Sequence, residues 1–106
     1  MNRNNKYLKL TREIVLSFID KENVTIFLFG SRTGKNIKHD SDIDIGFLSK
    51  NKLEQKLFSR IMEALDASII PYHVDLIDFG NVDKEFKKIA LREIEIWNKA
   101  PNLDIN

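Results

Sequence analysis

Apolar side chains recur at helical spacing near the start of the chain. Leu10, Ile14, Val15, Phe18 and Ile19 share one face of a 3.6-residue period, with Thr11 placed to cap it, which predicts a helix over 8–23. The next run, Val24 to Phe29, is Val-Thr-Ile-Phe-Leu-Phe, the composition of a buried strand, and Gly30-Ser31 ends it in a turn. Residues 32–41 are polar and basic and read as a loop with at most one helical turn. Acid and aliphatic residues then alternate through Asp42-Ile43-Asp44-Ile45, the two-residue period of a strand over 42–47 with two distinct faces. Leu53, Leu57, Ile61 and Leu65, joined by Phe58 and Met62 and bounded by Asn51 and Pro71, form a stripe that predicts a second long helix. A third strand follows over 72–77, then a turn at Asp78-Phe79-Gly80-Asn81. From Val82 onward Phe86, Ile89, Ala90, Ile94 and Trp97 predict a last helix that Pro101 stops.

This order predicts an α/β two-layer domain with a small sheet and helices mostly on one face. Periodicity leaves open whether neighbouring strands run parallel or antiparallel. The 106 residues fit one domain, 1–106, with a single core. Seventeen Lys and Arg against sixteen Asp and Glu give a net charge of +1, so no global field favours strong nucleic-acid or anionic-lipid binding, and any phosphate contact must be local. The chain has no cysteine, which excludes disulfides and thiolate metal sites and suits a reducing compartment. Its start is polar and no apolar run approaches the roughly 20 residues that span a bilayer, so a cytoplasmic protein is expected.

The candidate chemistry lies in three places. Asp42 and Asp44 stand two apart on a strand, so both carboxylates leave one face, about 6 to 7 Å apart along the chain, while Ile43 and Ile45 enter the core. Two such charges repel unless water or a divalent cation compensates; an exposed strand edge is the plainer reading. Gly30-Ser31 is either an ordinary tight turn or a place where backbone N–H groups and a hydroxyl meet phosphate oxygens. Asp75 is a lone acid in the apolar run Val74-Asp75-Leu76-Ile77, either at an exposed position or in need of a partner or metal. Together the three suit one site: two Mg²⁺ ions bridging a nucleoside triphosphate to an attacking oxygen.

A P-loop is excluded. Gly30-Ser31-Arg32-Thr33-Gly34-Lys35-Asn36 has three residues between its glycines and Asn after its Lys, where a P-loop has four and a Ser or Thr. Instead Gly30-Ser31-Arg32, a basic loop, Ser41-Asp42-Ile43-Asp44-Ile45 and the later Asp75 resemble the minimal nucleotidyltransferases of the DNA polymerase β superfamily. The resemblance runs from about Val24 to Phe79. It implies their two-layer fold, a small mixed sheet packed by helices. It also implies that Asp42, Asp44 and Asp75 are the catalytic, metal-holding acids, with Asp75 helping to deprotonate or orient an acceptor hydroxyl. Gly30, Ser31 and Arg32 would bind the nucleotide. Gly46 departs from the bulkier residue common in that family and is expected at most to loosen its strand. Lys35, Lys38 and His39 are expected to be solvated loop charges, and His73 to be structural.

The size argues against a templated polymerase, a tRNA-tailing enzyme or an aminoglycoside-modifying enzyme, all of which add domains for the acceptor. The remaining relatives are stand-alone antitoxins of HEPN-type ribonuclease toxins. The resemblance thus implies a Mg²⁺-dependent adenylyltransferase that moves AMP from ATP to a tyrosine of a HEPN-family toxin, in a homo- or hetero-oligomer. Two alternatives remain: a non-catalytic binding subunit that occludes a helical partner, and the catalytic subunit of a small-molecule nucleotidyltransferase. The broad apolar arc of the last predicted helix, Phe86, Ile89, Ala90, Ile94, Ile96 and Trp97 with Leu91 beside it, is read either as an interface or as cover for the sheet.

Overall fold

A computed structural model of the chain describes residues 3–34, 37, 38 and 40–101. The first helix, α1, is Arg3–Leu16; it begins and ends earlier than the predicted span of 8–23. Thr11 is therefore no cap. It lies within the helix, fully buried, and its hydroxyl donates to the Tyr7 carbonyl at 2.7 Å. Side chains that bond the nearby backbone set the helix end. The Ser17 hydroxyl donates to the Ile14 carbonyl at 2.6 Å, and the Asp20 carboxylate accepts from the Glu22 amide and the Asn23 side chain. Residues 17–23 consequently form turns that carry Phe18 and Ile19.

Four strands form one sheet: β1 (Val24–Phe29), β2 (Ile43–Ser49), β3 (Val74–Asp78) and β4 (Glu95–Asn98), in the order β3-β2-β1-β4. β1 pairs antiparallel with both β2 and β4, while β2 and β3 are parallel, so the sheet is mixed. The helix α2, Gln55–Asp66, makes the crossover between the parallel pair. A short helix α3, Lys84–Ala90, follows β3, and the Asp83 carboxylate caps it by accepting from the Phe86 amide at 2.7 Å.

The predicted final helix is thereby corrected. Only its first half is helical; beyond the turn at Leu91-Arg92-Glu93 the chain enters β4. Pairing with β1 satisfies backbone groups that a longer helix would have satisfied itself, and it seats Trp97 in the core at 5% exposure. The indole N–H donates to Glu95 at 2.8 Å, a contact between residues two apart on one strand face. Phe86, Ile89 and Ala90 therefore lie on α3 and Ile96 and Trp97 on a strand, and the apolar arc expected on one helix is divided.

Strand alternation splits the apolar residues between the two sheet faces. Ile26, Leu28, Ile43, Ile45, Phe47 and Val74 pack with α1 and α2. Phe27, Phe29 and Leu48 point the other way and cluster with Phe79 and the α3 side. On that second face the Phe27 and Phe79 rings meet edge to face, centroids 4.9 Å apart. Gly46 lies beneath them, where a Cβ would overlap the Phe27 ring. Its lack of a side chain admits the aromatic pair, which is a packing role rather than a loosening of the strand. Among the described residues no helix is long and apolar enough to cross a membrane.

Gly46→Ala is expected to destabilise the fold by about 1 to 3 kcal/mol, an overpacking cost that lowers Tm by roughly 5 to 20 °C in a domain of this size. Thermal unfolding followed by circular dichroism measures it. An unchanged Tm would mean that the rings yield freely.

Candidate active site

Strand register gathers the acids. Asp44 stands directly across from Asp75 in the parallel β2–β3 pair and across from Phe29 in the β1–β2 pair. Its neighbours Ile43 and Ile45 are fully buried on the α1–α2 side, so alternation leaves Asp44 on the opposite face, half-buried, with Asp42 exposed just before the strand. Asp75 reaches the same face because it follows the buried Val74. One ligand atom each from Asp42, His73 and Asp75 lies within 4.8 Å of the other two. Asp42 and Asp75 thus come together with His73, and Asp44 joins them only as the residue across from Asp75 in the sheet.

His73, read from the sequence as structural, belongs to this cluster. Its Nε2 lies 2.8 Å from an Asp75 carboxylate oxygen, and the imidazole is exposed. The signal that could have found it is the one that pairs Asp42 with Asp44: residues two apart on a strand share a face.

The electrostatics follow from this crowding. Burial raises the Asp44 pKa above the usual carboxylate value, and the charges of Asp75 and Asp42 push it the same way, with a hydrogen bond that the protonated Asp44 carboxyl donates to Asp75 adding to them and His73 opposing. The hydrogen bond to Asp75, and then its charge, raise the His73 pKa above that of an ordinary imidazole.

β1 runs into the cluster through a 3₁₀ turn, Gly30–Arg32. Gly30 has φ +81°, and a Cβ there would collide with the Asp44 carboxylate. Only glycine combines that backbone conformation with so close an approach to the acid. Ser31 is exposed beside it, and its carbonyl accepts from the Lys38 amide at 2.8 Å.

Arg32 is placed differently from its neighbours. It is only 4% exposed. Its Nε donates to the Ser41 carbonyl at 2.9 Å, and its guanidinium lies 4.3 Å from the Tyr72 ring centroid. The side chain thus ties the turn after β1 to the segments that lead into β2 and β3. Its geometry is that of a residue holding the site's loops in place; one buried nitrogen, Nη2, has no hydrogen-bond partner among the described residues. Lys38 is exposed, as expected of a loop charge, while Lys35 and His39 lie outside the described residues.

The donor set fits a divalent cation of the Mg²⁺ type, which takes hard oxygen ligands from one or two carboxylates plus phosphate and water. Asp42, His73 and Asp75 are the residues placed to hold such an ion, with Asp44 across from Asp75, where burial and its acidic neighbours raise its pKa and a cation's charge would relieve the repulsion. A larger cleft of about 740 Å³ lies toward the far end of β3, at Asp78 and Asn81, and none of these acids lines it.

The model of the family described as polymerase beta, nucleotidyltransferase matches residues 8–102. A protein of Haemophilus influenzae named "Probable protein adenylyltransferase MntA" is 34% identical over 65 residues, 61% of this chain and 57% of that protein. The chain thus matches little more than half the length of this curated relative. Among solved structures, a chain of the toxin-antitoxin complex MntA-HpeT in mutant form superposes with a TM-score of 0.63 at 24% identity, covering 92% of this chain and 73% of that one. A chain from the complex of tri-AMPylated Shewanella oneidensis HEPN toxin with MNT antitoxin gives a TM-score of 0.58 at 22% identity, covering 84% and 70%. A toxin-antitoxin structure with AMP-PNP gives 0.57 at 25% identity, covering 91% and 73%.

The raised Asp44 pKa carries a stability consequence with a definite sign. A carboxyl raised on folding stabilises the native state below the ordinary carboxylate range, and that contribution is lost as pH rises through the raised value. Near neutral pH, without divalent cations, the folded protein bears the cost of the crowded charges. Asp44→Asn is therefore expected to raise Tm in EDTA by about 2 to 8 °C, with the difference shrinking toward about pH 4. Differential scanning calorimetry at both pH values measures this; a lower Tm for the variant at both would contradict it.

Proposed function

The chain belongs to the polymerase beta nucleotidyltransferase family, and from that membership and its acidic cluster we propose that it is the antitoxin of a HEPN-type toxin, transferring AMP from ATP to a tyrosine hydroxyl of that partner. The observation that carries the reading is the cluster of Asp42, His73 and Asp75, with Asp44 paired to Asp75 across the strands and lying against the Gly30 turn. The names of the relatives support the finer parts: a protein adenylyltransferase, an AMPylated HEPN toxin held by its MNT antitoxin, and a toxin-antitoxin pair with AMP-PNP. In this reading residues 1–106 act as one nucleotidyltransferase domain in the cytoplasm.

The chemistry is an in-line exchange at the α-phosphorus. The acceptor oxygen forms the new O–P bond, the bond from that phosphorus to the β-phosphate oxygen breaks, and pyrophosphate leaves. Gly30 and Ser31 bind the outgoing phosphates through backbone N–H groups and the serine hydroxyl. Asp75, held by its hydrogen bond to His73, accepts the acceptor's proton and orients its oxygen. Arg32 acts through the loops it ties together, keeping the turn against the acids. Mg²⁺ ions held by Asp42, Asp44 and Asp75, two in number, would supply charge neutralisation of the triphosphate and of the developing negative oxygens. Asp75 stands on the edge strand β3, and a groove of about 310 Å³ between α2 and that strand reaches His73 and Asp75 from the other face of the sheet. Such transfer depends on positioning and charge rather than on a protein nucleophile.

The test is intact-mass spectrometry of the neighbouring open reading frame's product after incubation with this protein, Mg²⁺ and each of four ribonucleoside triphosphates. Mass increments of adenylyl groups on the partner, with ATP alone, are expected. Asp42→Asn or Asp44→Asn is expected to slow transfer by about a hundred- to a thousandfold or more while the protein still folds. A partner silenced in a stable complex, without any mass increment, would refute the transfer reading.

A further inference from the structure

On the same sheet face as the acids, a cleft of about 390 Å³ opens between the Gly30 turn and α3. Phe29, Gly30, Phe86 and Ile89 line it, with Arg92 and Glu93 beside them. We propose that this cleft holds the nucleobase of the nucleoside triphosphate, an inference that rests on the nucleotidyltransferase reading and adds base recognition to it.

Continuity is the first argument. Gly30 lines the cleft and also lies against Asp44, so a nucleotide whose α-phosphate sits at the acids has its ribose and base within reach of the cleft. The strand order agrees. Asp75 stands on the edge strand β3, whereas the cleft adjoins β1 and the entry to β4, two strands away. The acceptor and the base thus approach from different sides.

The chemistry of the walls is the second argument. A nucleobase offers apolar faces and a polar edge. Phe86 is 42% and Ile89 59% exposed, large apolar side chains left open beside a polar turn. Phe86 is nonetheless fixed, its ring edge-on to Phe29 at 6.3 Å and tilted against Phe79 at 5.7 Å, which gives a rigid surface for stacking. Glu93 is anchored too: its carbonyl accepts from the Thr33 hydroxyl at 3.1 Å, and its carboxylate comes so close to Gly34 that a Cβ there would overlap it. With its backbone held there, the Glu93 carboxylate can accept from an exocyclic amino group, and Arg92 supplies a donor for a ring nitrogen. This pairing suits an amino-bearing base such as adenine better than uracil.

Size is the third. About 390 Å³ lies at the low end of small-molecule sites, enough for a base and part of its sugar and small for a protein element.

Equilibrium titration of the full chain in Mg²⁺ with ATP, UTP and tripolyphosphate tests the assignment. Phe86→Ala is expected to weaken ATP binding by roughly five- to a hundredfold, the range of base-aromatic stacking, and to leave tripolyphosphate binding unchanged. Ile89→Asp, at an exposed position that spares the aromatic cluster, is expected to act in the same direction and covers the case in which Phe86→Ala unfolds. Glu93→Gln is expected to narrow the preference for ATP over UTP. Equal ATP affinity in wild type and both apolar-wall variants would overturn the base site while leaving the phosphate site standing. Parallel loss of ATP and tripolyphosphate binding in a folded variant would also overturn it. Failure of the wild type to bind either ligand would overturn the nucleotidyltransferase reading itself, and the base site with it.

Discussion

The parallel pairing of β2 with β3 fixes Asp44 beside Asp75, and the rest of the site depends on that register. Two carboxylates side by side are unfavourable. At about 5 Å and an effective dielectric near 20, like charges repel by roughly 3 kcal/mol. The same strands bury Ile43, Ile45 and Val74 on the other face, and each such side chain contributes about 1.5 to 3 kcal/mol. The apolar face therefore outweighs the repulsion. A one-residue slip would exchange the faces, burying the acids and exposing the isoleucines.

What the core holds together, a cationic or polyanionic ligand can use. The acids sit at one end of the sheet, half-buried or exposed, and Gly30 brings bare backbone against one of them. Arg32 supplies the connection among loops. By contacting the Ser41 carbonyl and the Tyr72 ring from inside the fold, it links the turn after β1 to the approaches to β2 and β3. The site is thus assembled from three strand ends whose relative positions are set by a buried side chain as well as by the sheet.

Much of this was legible from residue spacing. The alternation Asp42-Ile43-Asp44-Ile45 identified which side chains share a face, and the glycine at position 30 marked the turn. Other features were beyond local pattern. β4 was hidden because Phe86, Ile89, Ala90, Ile94 and Trp97 satisfy a helical period, and only pairing with β1 decides that the last two belong elsewhere. Arg32 looks in the sequence like a free phosphate ligand; its burial depends on Tyr72, forty residues later in the chain. Gly46 looked like a weak point because the aromatic pair that needs its space comes from β1 and from beyond β3. His73 was within reach of the same face rule that paired the acids.

The central claim is that the three aspartates form a cation site that works together with a nucleotide. Electron paramagnetic resonance titration with Mn²⁺, with and without a non-hydrolysable ATP analogue, measures this directly. The account predicts Mn²⁺ binding that the analogue strengthens by about tenfold or more, and that Asp75→Asn and Asp44→Asn each abolish. Mn²⁺ binding that is equally weak in wild type and variants, with or without the analogue, would contradict it.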